Sequence, residues 1–256
     1  MSGDQDPQQF LSMLRQQLDN YTMLLDVDGT LLDLAPTPRE VYVSSELRHM
    51  LARLRERTKG ATAFVSGRGI NELDLIFAPL LLAAVGGHGA EFRFQPDGDI
   101  EIEKVQPLST KTKQRFAVIA EAARGIIVED KTYSIALHYR LAPDQEDYVR
   151  RAVAMACEEL EPLLEILPGK AVVEVKQVGF NKATAVSRLM SVPPFRGRLP
   201  IFIGDDQTDE VVFPVIREFG GLGFSVGRQV AGVAGHFDTP SDVRHWLQTL
   251  AVGTTP

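Results

Sequence analysis

The chain has 256 residues, 44% hydrophobic and 24% charged, a balance that supports a packed core and excludes disordered and collagen-like classes. At this length either one large domain or a core carrying a second, smaller domain is expected. With 27 Lys and Arg against 34 Asp and Glu the net charge is −7, which disfavours nucleic acid or an anionic membrane as a partner. The longest apolar runs, such as Phe77 to Val85 with Pro79 inside it, fall short of the roughly 20 residues that a membrane helix needs. The segment through Gln9 is acidic and polar, unlike a secretory leader, and Cys157 is the single cysteine, so a reducing cytoplasm is the expected location.

In chain order, Gln8 to Asn20 places Phe10, Leu11, Leu14 and Leu18 on one stripe and reads as a helix docked on the core. Met23 to Val27 is an apolar run closed by acids. Ala61 to Val65 and Ile201 to Ile203 are similar, short and apolar on both faces as buried parallel strands require. Helical patterns separate them: Leu47, Met50, Leu51 and Leu54 along Ser45 to Arg57, and Val211, Val212, Val215 and Ile216 along Thr208 to Phe219. This alternation predicts an α/β fold with a Rossmann-like parallel sheet.

The middle of the chain breaks the rhythm, with Pro107 and Gly179 as hinges, so the expected core is 1–106 with 179–256 and the insert is 107–178. Within the insert, Lys113 to Arg124 reads as a helix stopped by Gly125, and Ile126 to Glu129 and Tyr133 to Arg140 read as strands. A second helix follows Asp144 as N-cap, carrying Tyr148, Val149, Ala152 and Met155, and the strand Ala171 to Lys176 closes the segment. Period-2 alternation puts Tyr133, Ile135, Leu137 and Tyr139 on one face and Ser134, Ala136, His138 and Arg140 on the other, with Glu174 and Lys176 opposite Val173 and Val175. An α+β insert with helices on its apolar side would turn a charged face outward, toward solvent or toward something polar.

The chemistry is concentrated in a few loops. Asp26-Val27-Asp28-Gly29-Thr30 follows a buried strand, where an open α/β sheet forms its ligand crevice, although Asp and Gly are also ordinary turn formers. Gly204-Asp205-Asp206-Gln207-Thr208-Asp209-Glu210 follows another such strand; Thr208, Asp209 and Glu210 also suit the start of a helix. Two acidic loops at one sheet edge suggest Mg²⁺, which takes hard oxygens from one or two carboxylates, carbonyls, water and phosphate. Asp26 and Asp205 could supply the carboxylates, and the Asp28 carbonyl a further oxygen. Such a site suits phosphoryl transfer, for which Ser66-Gly67-Arg68 offers a hydroxyl, amides and a guanidinium, and Lys182 a second cation.

The order of strand, DxDGT, strand, SGR, αββαβ insert, Lys182, strand, GDDxTDE resembles the haloacid-dehalogenase-like phosphatases with a large cap. More narrowly, Gly86-Gly87-His88-Gly89-Ala90-Glu91, Glu129-Asp130-Lys131, Ala136-Leu137-His138-Tyr139-Arg140 and Val173-Glu174-Val175 resemble the trehalose-6-phosphate phosphatases, from Met23 to the C-terminus. The resemblance implies a Mg²⁺-dependent hydrolase in which Asp26 attacks phosphorus and Asp28 serves as acid and then base. It implies that Ser66 and Lys182 hold the phosphoryl group, and that Asp26, Asp28 and Asp205 bind the metal, with Asp206 and Asp209 behind them and Asp209 orienting water or Lys182. Glu129, Lys131 and Glu174 of the cap would reach sugar hydroxyls, with Arg68 and His88 contributing from the core. The implied partners are a small sugar phosphate and, functionally, a trehalose-phosphate synthase. Another sugar phosphate, such as sucrose phosphate or mannosylphosphoglycerate, or a non-catalytic sensor of trehalose phosphate, are the alternatives. Ala183 stands where the family often has glycine, and Lys176-Gln177 where arginine or proline is common.

Overall fold

The computed structural model describes residues 5–35, 40–160 and 163–252. Two compact units are formed, Met1–Glu101 with Asn181–Pro256, and Ile102–Phe180. The first half of the larger unit contributes β1 (Tyr21–Leu25), β2 (Thr62–Val65), β3 (Ala83–Gly86) and β4 (Glu91–Arg93), with helices α1 (Leu11–Gln17), α2 (Ser45–Arg57) and α3 (Ile70–Phe77), and the edge strand β5 (Glu101–Ile102) begins on its last residue before the insert. The insert contains β6 (Ile127–Asp130), β7 (Ser134–His138), β8 (Leu164–Gly169) and β9 (Val172–Gln177), with α4 (Thr110–Glu121) and α5 (Glu146–Glu158). The chain then returns to the larger unit through β10 (Leu199–Gly204), β11 (Leu222–Val226) and β12 (Gly235–Phe237), with α6 (Lys182–Met190), α7 (Gln207–Glu210), α8 (Val212–Glu218) and α9 (Pro240–Ala251).

The large sheet runs β12-β11-β10-β1-β2-β3-β4-β5. From β12 through β3 every pairing is parallel, and β4 joins antiparallel. Alternate residues of β1 serve opposite faces, as the two-residue period demands. Met23 and Leu25 pack with Leu51 of α2 and Trp246 and Leu250 of α9, whereas Leu24 packs with Val186 and Leu189 of α6 and Ile216 of α8. The result is the three-layer arrangement expected of a Rossmann-like α/β core. Its topology fixes the position of the site. The chain proceeds from β1 outward to β2 and β3 on one side and from β10 to β11 and β12 on the other, so the carboxyl ends of β1 and β10 flank the switch point where such sheets bind ligands.

The helix predicted over 208–219 is instead two, α7 and α8, joined at Val211. Pro214 accounts for the break: it has no N–H to donate, and restarting the helix at Val212 places it in the first turn, where that donor has no intrahelical partner.

The insert is an antiparallel sheet in the order β6-β7-β9-β8 with α4 and α5 on one face. Phe116 and Ile119 of α4 and Val149, Val153 and Ala156 of α5 pack onto Ile135, Leu137, Val173 and Val175, as the alternation predicted. Asp144 is not the N-cap of α5. It lies in a 3-10 turn, Pro143–Gln145, that begins at the proline and runs into the helix. The charged face is also not open to solvent, for Glu174 is 7% and Lys176 1% exposed. Polar partners make this burial tolerable: Lys176 Nζ donates across the ladder to Glu165 Oε2 at 2.6 Å and, near its own strand end, to the carbonyls of Gln177 and Phe180.

Candidate active site

Four loops of the core end at the same sheet edge. After β1 the Asp26 N–H donates to the Ile203 carbonyl of β10 at 3.0 Å, which extends the parallel ladder and directs the Asp26 side chain into a buried position. The chain then turns within Val27 to Leu32, where Leu31 and Leu32 N–H both donate to Val27 O and Gly29 N–H donates to Leu32 O. Gly29 has φ +82°, and a Cβ there would lie 2.2 Å from Asp205 Oδ2, so only glycine lets the first acidic loop approach the second this closely.

The second loop is organised by its own side chains. Asp206 Oδ1 accepts from the N–H groups of Thr208 and Asp209, capping α7, and Asp209 Oδ2 accepts in return from Asp206 N–H at 3.2 Å and from Asp205 N–H at 2.9 Å. The helix-starting role foreseen for part of this string therefore falls to Asp206, and Asp209 does more than fit a helix dipole. Gly204 is close beneath it, where a Cβ would meet Asp209 Cγ at 2.5 Å.

Lys182 joins the two loops. It is the first residue of α6, whose N-cap Asn181 forms a reciprocal capping box with Thr184. Its Nζ lies 2.9 Å from Asp26 Oδ1 and 2.7 Å from Asp209 Oδ1, with all three side chains buried. Burial opposes the ammonium charge, but Asp209 and Asp26 outweigh it and raise Lys182 well above the usual lysine range. Burial raises Asp26, reinforced by Asp206 and Asp28 and opposed by Lys182. Asp209 is raised well above its ordinary value by burial and by Asp26. Asp206 is lowered: burial works against its charge, but Lys182 and the Thr208 hydrogen bonds prevail.

Ligand oxygens of Asp26, Asp205 and Asp209 lie within 4.8 Å of one another, all three buried. Hard oxygen donors gathered this closely fit a divalent cation such as Mg²⁺. The Asp28 side chain is not in this group. Its two oxygens accept from Arg68 Nε and Nη2 at 2.6 and 2.8 Å, a bidentate pair, and Arg68 also meets Glu72 one helical turn on.

The third loop, after β2, carries Ser66, whose Oγ accepts from Arg68 N–H at 3.2 Å. The fourth, after β3, carries His88 at φ +56°, a left-handed conformation uncommon outside glycine, buried beside Gly67. A Cβ on Gly67 would sit 2.4 Å from His88 Nε2, and His88 N–H donates to Ser66 O, so these two loops hold each other.

In the insert, Glu129, Lys131 and Glu174 form one polar cluster. Lys131 Nζ is 2.9 Å from Glu174 and 3.8 Å from Glu129, His138 Nε2 is 2.8 Å from Glu129, and Ser134 Oγ donates to Glu174. Burial pushes Glu129 upward, but His138 and Lys131 bring it below its ordinary value. Sequence reasoning singled out neither His138 as a partner of Glu129 nor Arg228, whose Nε donates to the Asp205 carbonyl at 3.1 Å. The first was accessible from strand pairing, because β6 and β7 run antiparallel. The second was not, since Arg228 lies in an unremarkable loop after β11.

Residues 24–242 match the family model described as trehalose-phosphatase. A probable trehalose-phosphate phosphatase of Sinorhizobium fredii is 39% identical over 221 residues, covering 86% of this chain and 83% of the relative. The trehalose-6-phosphate phosphatase of Escherichia coli is 34% identical over 232 residues, 90% of this chain and 86% of the relative. Among solved structures, the C-terminal domain of the trehalose-6-phosphate phosphatase of C. albicans superposes with a TM-score of 0.84 at 22% identity, covering 98% of each chain. No helix among the described residues is long and apolar enough to cross a membrane. With a sheet-edge site of acids and one buried lysine, and with matches spanning most of its length, the chain belongs to the trehalose-phosphatase family of phosphoric monoester hydrolases.

Proposed function

We propose that the chain hydrolyses trehalose 6-phosphate to trehalose and phosphate through a phosphorylated Asp26, with Mg²⁺ as cofactor. The observation that carries this reading is the meeting of Lys182 Nζ with Asp26 Oδ1 at 2.9 Å, across 156 positions of sequence, beside Asp205 and Asp209. Asp26 and Asp205, with the Asp28 carbonyl, would hold Mg²⁺. Both oxygens of Asp209 already accept hydrogen bonds, so its part is to hold Lys182 and the Asp205 backbone, while Asp206 supports the same loop. When bound, the cation would neutralise charge on the phosphoryl oxygens.

Asp26 would form a bond to phosphorus as the bond from phosphorus to the sugar oxygen breaks, and Asp28 would give that oxygen a proton. A carboxylate needs no activating base for this step, and the acyl phosphate it forms is labile. In the second half Asp28 would take a proton from water as the water oxygen bonds phosphorus and Asp26 leaves. Asp28 would exchange its Arg68 partner for the substrate oxygen during the cycle. Ser66 and Lys182 would position the phosphoryl oxygens. In the insert, Glu129, Lys131 and Glu174 would pair with sugar hydroxyls, with Arg68 and His88 contributing from the core, because a site whose polar groups match many hydroxyls rejects sugars that leave those groups unpaired. A synthase that makes the phosphorylated disaccharide is the functional partner implied.

Phosphate release from trehalose 6-phosphate by the wild type and by Asp26→Asn tests the nucleophile, and wild-type rates in the variant would overturn it. Comparison of kcat/KM over a panel containing sucrose phosphate and mannosylphosphoglycerate tests the substrate, and a clear preference for either would replace trehalose 6-phosphate.

A further inference from the structure

We infer that Arg228 is a positioning residue for the cation site, setting the orientation of Asp205 from the neighbouring loop. The inference rests on the reading of Asp205 as a metal ligand given above. Arg228 follows Gly227, which has φ +71°, in the turn after β11, while Asp205 follows β10. The strands pair in parallel with Gly204 opposite Ser225, so the two turns leave the sheet side by side. Arg228 makes three bonds there. Its Nε donates to the Asp205 carbonyl at 3.1 Å, its Nη1 pairs with Glu210 Oε1 at 2.5 Å, and its own carbonyl accepts from Ser225 Oγ at 2.8 Å.

Both sides of Asp205 are thereby fixed. Its N–H donates to Asp209 Oδ2 and its carbonyl accepts from Arg228, which leaves the Cα–Cβ direction of this residue little freedom. The Asp209 bond comes from within the same loop, whereas the Arg228 bond ties the loop to the next strand of the sheet. Mg²⁺ accepts only a narrow range of octahedral geometry, so a ligand that wanders loses affinity even when its charge is intact.

Charge and geometry predict opposite signs for the removal of Arg228. A guanidinium near the acidic cluster repels a cation, so its field alone would make Arg228→Gln bind Mg²⁺ more tightly. Positioning predicts weaker binding, by about tenfold for the loss of a charge-assisted hydrogen bond to a ligand's backbone. Arg228→Lys keeps the charge but reaches only one of its two acceptors, and is expected to weaken binding by roughly threefold.

The experiment is calorimetric titration of the full chain with Mg²⁺ alone, for wild type, Arg228→Gln and Arg228→Lys, with circular dichroism to establish folding. Weaker binding in the order wild type, Lys, Gln supports the inference. Equal or tighter binding by Arg228→Gln overturns it while leaving the metal site standing. If Arg228→Gln does not fold, Arg228→Lys decides, and wild-type affinity in that variant overturns the inference. Failure of the wild type to bind Mg²⁺ removes the reading of the site and this inference with it.

Discussion

Gly29→Ala offers a sharp test because its effect can be worked from the backbone angle and the close contacts at that residue. The residue has φ +82°, where an L side chain costs roughly 1–2 kcal/mol in backbone strain. Its new Cβ would also stand 2.2 Å from Asp205 Oδ2 and 2.6 Å from Asp205 Cγ. Carbon and oxygen need more than 3 Å on ordinary van der Waals grounds, so the Asp205 carboxylate or the 26–30 loop must retreat by about 1 Å. Asp205 cannot move far without loosening the Asp209 and Arg228 contacts to its backbone. A shift of that size in a reacting constellation costs about a hundredfold in rate. The expected result is a variant that folds with a loss of about 1–2 kcal/mol in urea unfolding, but whose phosphate release falls about a hundredfold with weakened Mg²⁺ binding. A variant with wild-type Mg²⁺ affinity and wild-type turnover would refute the argument that these two loops share one ion.

Lys182→Met should leave Asp26 and Asp209 buried without their ammonium, at a cost of about 3–5 kcal/mol in urea unfolding at neutral pH without Mg²⁺, and unchanged stability would show that the ion pair is not needed. In the insert, burial works to raise Glu129 but His138 and Lys131 hold it below its ordinary value of 4.5, so its stabilisation is full above that pH and is lost as pH falls through the lowered folded value. Glu129→Gln should therefore flatten the acid limb of thermal stability followed from about pH 6 to about pH 3, and superimposable limbs would contradict the assignment.

Much of the core was legible in the sequence because it is written in periodicity. The stripe of Leu47, Met50, Leu51 and Leu54, with Ser44 accepting from Leu47 N–H, places α2 at the predicted bounds. The buried strands before Asp26, Ser66 and Asp205 were equally plain, since apolar residues on both faces leave few other folds. What failed depended on local exceptions. Strand β8 contains Pro168 and a partly exposed sequence without clear alternation, and it owes its existence to pairing with β9. The burial of Lys176 was invisible because it requires Glu165 across the ladder and the Phe180 carbonyl after the strand, neither of which announces itself in sequence. In the site, residue types and order pointed to the same loops that the fold brings together. The division of labour was legible only in part: the resemblance implied that Asp209 orients Lys182, as observed, but nothing in the string from Gly204 to Glu210 says that Asp206 caps the helix.

The double engagement of Asp209 constrains how this corner of the protein can change. One carboxylate answers to an ammonium delivered from another helix and to two amides of its own turn, against a glycine with no space for more. Shortening it, lengthening it or neutralising it would strip several dependants together, so no single neighbouring replacement can compensate. Removal of this one side chain would unfasten the ammonium and both turn amides at once, which makes Asp209 the keystone of the corner.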